Sequence, residues 1–125
     1  SFSQILSAGN SRVRAYEADG GLLGAFLSEA GGIKTVAGAT VSSLKLEKNL
    51  VAEFIKKNIS VVDMECSAFF SAAVYAGIRA ISIFYITDII EKKPFYANLS
   101  IAEKTKISAS ASLAAELLCR FIERN

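Results

Sequence analysis

The sequence predicts an α/β fold, a mostly parallel or mixed sheet flanked by helices, on three observations. Residues 60–63 form a short β-prone run, residues 66–76 a helix of small and aromatic residues, and residues 78–86 (IRAISIFYI) a nearly continuous apolar run, in the order strand, helix, strand. An apolar second strand is what a parallel sheet covered on both faces demands, and parallel neighbours need a crossover helix between them. That crossover is expected to be right-handed. The chain, 125 residues of which 52% are hydrophobic, suffices for a single domain with a core over residues 1–125 and is too short for two ordinary ones.

The remaining elements follow in order. Residues 1–17 mix polar and apolar types without a clear period and take no assignment. Asp19 reads as a helix N-cap, and Leu22, Leu23, Phe26, Leu27 and Ala30 place an apolar stripe at helical spacing before Gly31 and Gly32 end it. Residues 33–41 (IKTVAGATV) are rich in β-branched types and read as a strand weakened by Gly38. A short helix over residues 46–57 follows, because Leu46, Leu50, Val51, Phe54 and Ile55 share one side. Beyond Asp88 comes a polar loop with the only proline, Pro94. Ser100-Ile101-Ala102-Glu103 then matches a capping box, in which Ser and Glu satisfy each other's backbone donors. Ile107, Ala111, Ala114, Leu118, Phe121 and Ile122 keep one apolar face, so the closing helix should cover residues 101–123 and lie along the sheet. No repeat, low-complexity tract or linker is visible.

Composition narrows the function classes. Fourteen Lys and Arg against twelve Asp and Glu leave a net charge of +2, too weak a field to imply nucleic acid. The lysines at 45, 48, 56, 57, 92 and 93 read as solvated faces rather than a phosphate-backbone patch. Cys66 and Cys119 are far apart and form no metal or redox spacing, so both are expected to be buried packing residues. No apolar run reaches the roughly 18 residues of a membrane span, and the start Ser-Phe-Ser-Gln lacks a signal pattern. A soluble, cytoplasmic protein with no membrane partner is the expectation. Histidine is absent, which removes Ser-His-Asp and Cys-His catalysis and most transition-metal sites. Acid-base work falls to carboxylates, Lys, Tyr or Cys, with no cofactor or metal expected.

Ligands of parallel α/β sheets bind beyond the carboxyl ends of the strands. Asp63-Met64-Glu65 and Thr87-Asp88 follow two such ends. If their strands are neighbours about 4.8 Å apart, Glu65 and Asp88 should emerge on one edge, about 5–10 Å from each other. Taken singly, each residue has a plain structural role open to it. Glu65 in a first helical turn complements the helix dipole, Asp88 can cap the following turn, and Met64 can be core. Ser67 and Thr87 can serve local backbone bonding or orient a substrate or water. It is their joint order across one strand-helix-strand unit that favours a site.

The runs VVDMECSAFFSAA and AGIRAISIFYITD resemble the nucleoside phosphorylase and nucleosidase family, the purine nucleoside phosphorylase and uridine phosphorylase superfamily. Its members carry a Val-x-Met-Glu run opening a small-residue helix, then a strand ending in Ser-Asp or similar. The upstream GATVSS, with Ser42, resembles the strand and loop leading to the base pocket, and the likeness covers about residues 18–124. It implies a partial nucleoside phosphorylase-like domain, the carboxyl-terminal portion. Carried over, Glu65 would accept hydrogen bonds from the ribose 2′ and 3′ hydroxyls, as an acceptor-only carboxylate matches a vicinal diol. Met64 would pack against the sugar, with Asp63, Ser42 and Thr87 beside the substrate. Asp88 matches the general acid that protonates purine N7 as the glycosidic bond breaks, through an oxocarbenium-like transition state.

Two departures qualify what the likeness implies. No glycine-containing phosphate loop precedes residue 18, and Arg12 and Arg14 match no motif. Leu44 and Leu46 stand where members often place an aromatic to stack on the base. The expected function is phosphorolysis of a nucleoside, purine rather than pyrimidine because Asp88 is present, with inorganic phosphate as co-substrate. The alternatives are hydrolysis by a methylthioadenosine or S-adenosylhomocysteine type nucleosidase, and a non-catalytic nucleoside-binding or interaction module lacking the phosphate site. By resemblance, the chain is expected to form a homo-oligomer or to associate with a missing amino-terminal portion, whose absence would leave sheet edges open.

Overall fold

The computed structural model describes residues 2–6, 14–94 and 97–124, with the side chains of residues 2–6, 14 and 44–46 excepted. Arg12 and the side chains of Arg14, Leu44 and Leu46 therefore lie outside the described set. The chain divides into two compact units, Ser1–Ser82 and Ile83–Asn125.

Among its described residues, the first unit holds a four-stranded sheet and three helices. Its strands are β1 (Phe2–Leu6), β2 (Arg14–Glu17), β3 (Ala37–Val41) and β4 (Ile59–Asp63), in the order β2-β1-β3-β4. β1 runs antiparallel to β2 and parallel to β3, and β3 runs parallel to β4. The sheet is thus mixed with a parallel centre, as the sequence predicts. Helix α2 (Leu44–Lys56) forms the crossover that two parallel neighbours require, leading from β3 to β4.

β3 is the buried middle of this sheet, with Ala39 and Val41 at 0% and 1% exposure. Gly38 marks a register irregularity beside β4, and a Cβ placed there would meet Val61 Cγ2 at 3.1 Å. The glycine that weakens the strand signal is the residue that leaves room for the Val61 side chain. Phe26, Phe54, Phe70 and Ala73 complete the apolar interior from the three helices.

Helix α1 (Gly20–Glu29) begins where the sequence places it, with the Asp19 side chain accepting from Leu22 N at 2.8 Å. Helix α3 (Cys66–Ala76) has the bounds expected from its small-residue pattern. It ends on Gly77 at φ 66°, whose N–H reaches the carbonyls of Ala73 and Val74, a left-handed closure that suits glycine.

Two expectations are corrected, and one unassigned stretch is filled. Residues 33–36 lie outside β3, which starts at Ala37. Residues 1–17, left unassigned, contain β1 and β2, short strands (FSQIL and RAYE) whose pairing partners and not their own pattern define them. No residue of the apolar run 78–86 belongs to a strand. A strand exists only when a neighbour shares its backbone donors and acceptors, and β propensity does not supply that neighbour. Within the first unit, Asp19 N–H donates to the Ala80 carbonyl at 2.9 Å, while Ile78 stays 63% exposed.

In the second unit, helix α4 (Ile101–Arg124) opens on the predicted capping box: Ser100 N–H donates to Glu103 Oε2 at 2.8 Å, and Glu103 N–H to Ser100 Oγ at 3.3 Å. Lys93 Nζ lies 2.9 Å from Glu103 Oε1. Ile89 and Lys93 exchange backbone hydrogen bonds, each 2.7 Å, closing the loop ahead of the helix. Among the described residues, no helix is long and apolar enough to cross a membrane.

Candidate functional site

The parallel strands β3 and β4 finish side by side, with Thr40 opposite Asp63. Strand then gives way to helix abruptly, because α3 starts at Cys66, three residues beyond the last residue of β4. The first N–H groups of a helix have no partner within it and need an acceptor at this point. Asp63 provides it: its Oδ1 accepts from Glu65 N–H at 3.0 Å and from Cys66 N–H at 2.8 Å.

The same oxygen accepts a third hydrogen bond, from Thr40 Oγ1 at 2.8 Å. Thr40 is buried, and its hydroxyl in turn accepts from Ser67 N–H at 3.0 Å. Asp63 Oδ2 is buried with no hydrogen-bond partner among the described residues. Sequence reasoning missed Thr40. The available signal was a polar side chain inside the otherwise apolar stretch AGATV.

Around this anchor, Met64 and Glu65 form the exposed corner. Met64 is 41% exposed, so it is not core. Glu65 stands at the N-cap position of α3, yet its side chain makes no capping hydrogen bond. Its main-chain carbonyl accepts from Ala68 and Phe69 N–H, which leaves the exposed carboxylate free of that duty. Ser42, also exposed, follows the carboxyl end of β3. Asp63, Met64, Glu65 and Ser42 therefore share the carboxyl ends of two neighbouring parallel strands.

Thr87 and Asp88 belong to the second unit. Thr87 Oγ1 donates to Asp88 Oδ1 at 2.6 Å. Both border a hollow of about 180 Å³, with Ile86, Ile89, Lys93 and Ile107 among its other walls. Asp88 is half-buried and Thr87 exposed. Because residues 78–86 form no strand, Asp88 does not follow a strand end as the sequence predicts.

A larger open hollow, about 400 Å³, lies by the amino ends of β3 and β4, where Thr35, Ala37, Asn58 and Ser60 border it. Its size does not make it the better candidate, since ligands of parallel sheets gather at the carboxyl ends. Among the described residues, no cluster of three or more His, Cys, Asp or Glu side chains is arranged to hold a metal. Cys66 is buried as expected, whereas Cys119 is exposed. The correction has a simple cause: Cys119 falls outside the apolar stripe of α4, two residues before the buried Phe121.

No curated protein and no solved structure matches the chain. A family model described as the phosphorylase superfamily matches residues 6–123.

Proposed function

The chain belongs to the phosphorylase superfamily, and on that premise we propose that it binds a purine nucleoside and takes part in phosphorolysis of its N-glycosidic bond. The observation that carries this reading is the exposed Met64–Glu65 corner, with a carboxylate that caps nothing, inside a chain matched over residues 6–123.

Glu65 accepts hydrogen bonds from the 2′ and 3′ hydroxyls, which an ionised carboxylate can do with both oxygens at once. Met64 packs its thioether against the sugar. Ser42 flanks the same strand ends, and Asp63 lies directly beneath the corner. Asp88, with Thr87 beside it, acts as general acid at the base: it gives its proton to the ring nitrogen as the bond to the sugar breaks, and inorganic phosphate attacks the anomeric carbon. Protonation makes the base a better leaving group, and a held sugar lowers the cost of reaching the oxocarbenium-like transition state.

Product analysis with purine nucleosides, with and without phosphate, tests the proposal. Free base and sugar 1-phosphate formed only with phosphate support it. Free sugar formed without phosphate replaces phosphorolysis by hydrolysis. Binding without turnover leaves a non-catalytic nucleoside-binding module, and an absence of binding overturns the reading.

A further inference from the structure

We propose that Thr40 is a positioning residue of this site, its one hydroxyl setting the backbone corner from which Glu65 projects; the inference rests on the nucleoside reading above. A hydroxyl in the buried middle of a sheet is costly unless hydrogen-bonded. Thr40 is 5% exposed between Ala39 and Val41, and its hydroxyl is used twice, donating to Asp63 Oδ1 and accepting from Ser67 N–H. That single group therefore joins β3, the end of β4 and the first turn of α3.

The chain of consequences runs outward from it. Among the described residues, Thr40 is the one side chain that donates to the Asp63 carboxylate, and Oδ2 has no donor. Thr40 is thus the side chain that ties the rotation of that carboxylate to β3. Asp63 Oδ1, so oriented, holds the N–H groups of Glu65 and Cys66, and these define the direction in which the Glu65 side chain leaves the backbone. A group held in its binding orientation beforehand loses less freedom when a ligand arrives. Thr40 touches no ligand in this arrangement. Its effect on a sugar is exerted through Asp63 and the corner.

The test compares Thr40→Val, which keeps the shape and removes the hydroxyl, with Thr40→Ser, which keeps the hydroxyl. Two readouts are taken on the full chain: amide hydrogen exchange at Glu65, Cys66 and Ser67, and kcat and KM with inosine or adenosine plus phosphate. Expected for Thr40→Val is faster exchange at the three amides with KM raised about tenfold and kcat nearly unchanged, as for an interaction equal in ground and transition states. Thr40→Ser restores both. Exchange and KM both unchanged in Thr40→Val overturn the proposal, and so does faster exchange with unchanged KM. In the wild-type chain the Thr40 hydroxyl proton should exchange slowly and cross-relax with the Ser67 amide. A rapidly exchanging hydroxyl overturns the proposal even if Thr40→Val does not fold. Wild-type protein that neither binds nor cleaves these nucleosides refutes the proposed substrate, and with it the assigned role, while the exchange data separately report whether Thr40 orders the corner.

Discussion

Replacing Asp63 by alanine should destabilise the first unit more than any substitution on the exposed face of its helices. The residue accepts three hydrogen bonds on one oxygen, from Thr40 Oγ1, Glu65 N–H and Cys66 N–H. Loss of a helix-capping acceptor costs about 1 kcal/mol. A buried donor left without a partner costs about 1–3 kcal/mol, and the Thr40 hydroxyl would be such a donor. Against this, alanine removes the buried, unpartnered Oδ2, which returns part of the loss. A net cost of about 2–3 kcal/mol follows. With a urea dependence of about 1.5 kcal/mol per molar, the midpoint followed by far-ultraviolet circular dichroism should fall by about 1.3–2 M. Asp63→Asn is the internal control. Its oxygen keeps the acceptor, but its amide nitrogen takes the place of the unpartnered Oδ2, so it should lose about half as much, roughly 1–1.5 kcal/mol. Equal losses in the two variants, or a loss under about 0.5 kcal/mol for alanine, would refute the reasoning that hydrogen bonding at Oδ1 holds this corner.

Further outcomes can be measured alongside. The Glu103 carboxyl is lowered from 4.5 to about 2, first by its hydrogen bond to Lys93 and then by the Ser100 backbone and side chain. A group depressed on folding contributes stability that is present above its unfolded value and lost as pH falls, here from about 4.5 down through about 2. Carboxyl NMR should find its midpoint near 2, and Lys93→Met should move it upward toward 4.5; an unmoved midpoint contradicts the attribution. Gly77→Ala should cost about 1–2 kcal/mol, because an alanine at φ 66° is strained, whereas Gly24→Ala, inside α1 with open space around its Cβ, should gain about 0.5–1 kcal/mol. Thermal melts that move the same way for both variants count against this. On the proposed function, Glu65→Ala should raise KM about tenfold, and Asp88→Asn should lower kcat by about 100-fold or more with the fold retained. Unchanged kinetics in either variant remove that residue from the site.

How much was legible depended on the distance over which each interaction acts. The Asp19 cap and the Ser100–Glu103 box join residues within about one helical turn, so their side-chain types announce them. Met64 and Glu65 were singled out differently, by the family resemblance of their run and its place after a β-prone segment. The anchor beneath it was not: Thr40 and Asp63 are 23 positions apart, and only the parallel register of β3 and β4 brings them together. Sequence had assigned Asp63 to the substrate, and gave no hint that one of its oxygens serves three donors.

The amino-acid order alone determined the α/β class and the caps at Asp19 and Ser100, set by side-chain chemistry and short-range periodicity, and it carried the family resemblance in the runs VVDMECSAFFSAA and AGIRAISIFYITD. Tertiary structure alone decided which of several segments became strands. FSQIL and RAYE found ladders, while the more apolar IRAISIFYI did not. A strand is completed by hydrogen bonds to another segment, so its existence depends on a partner that its own residues cannot specify.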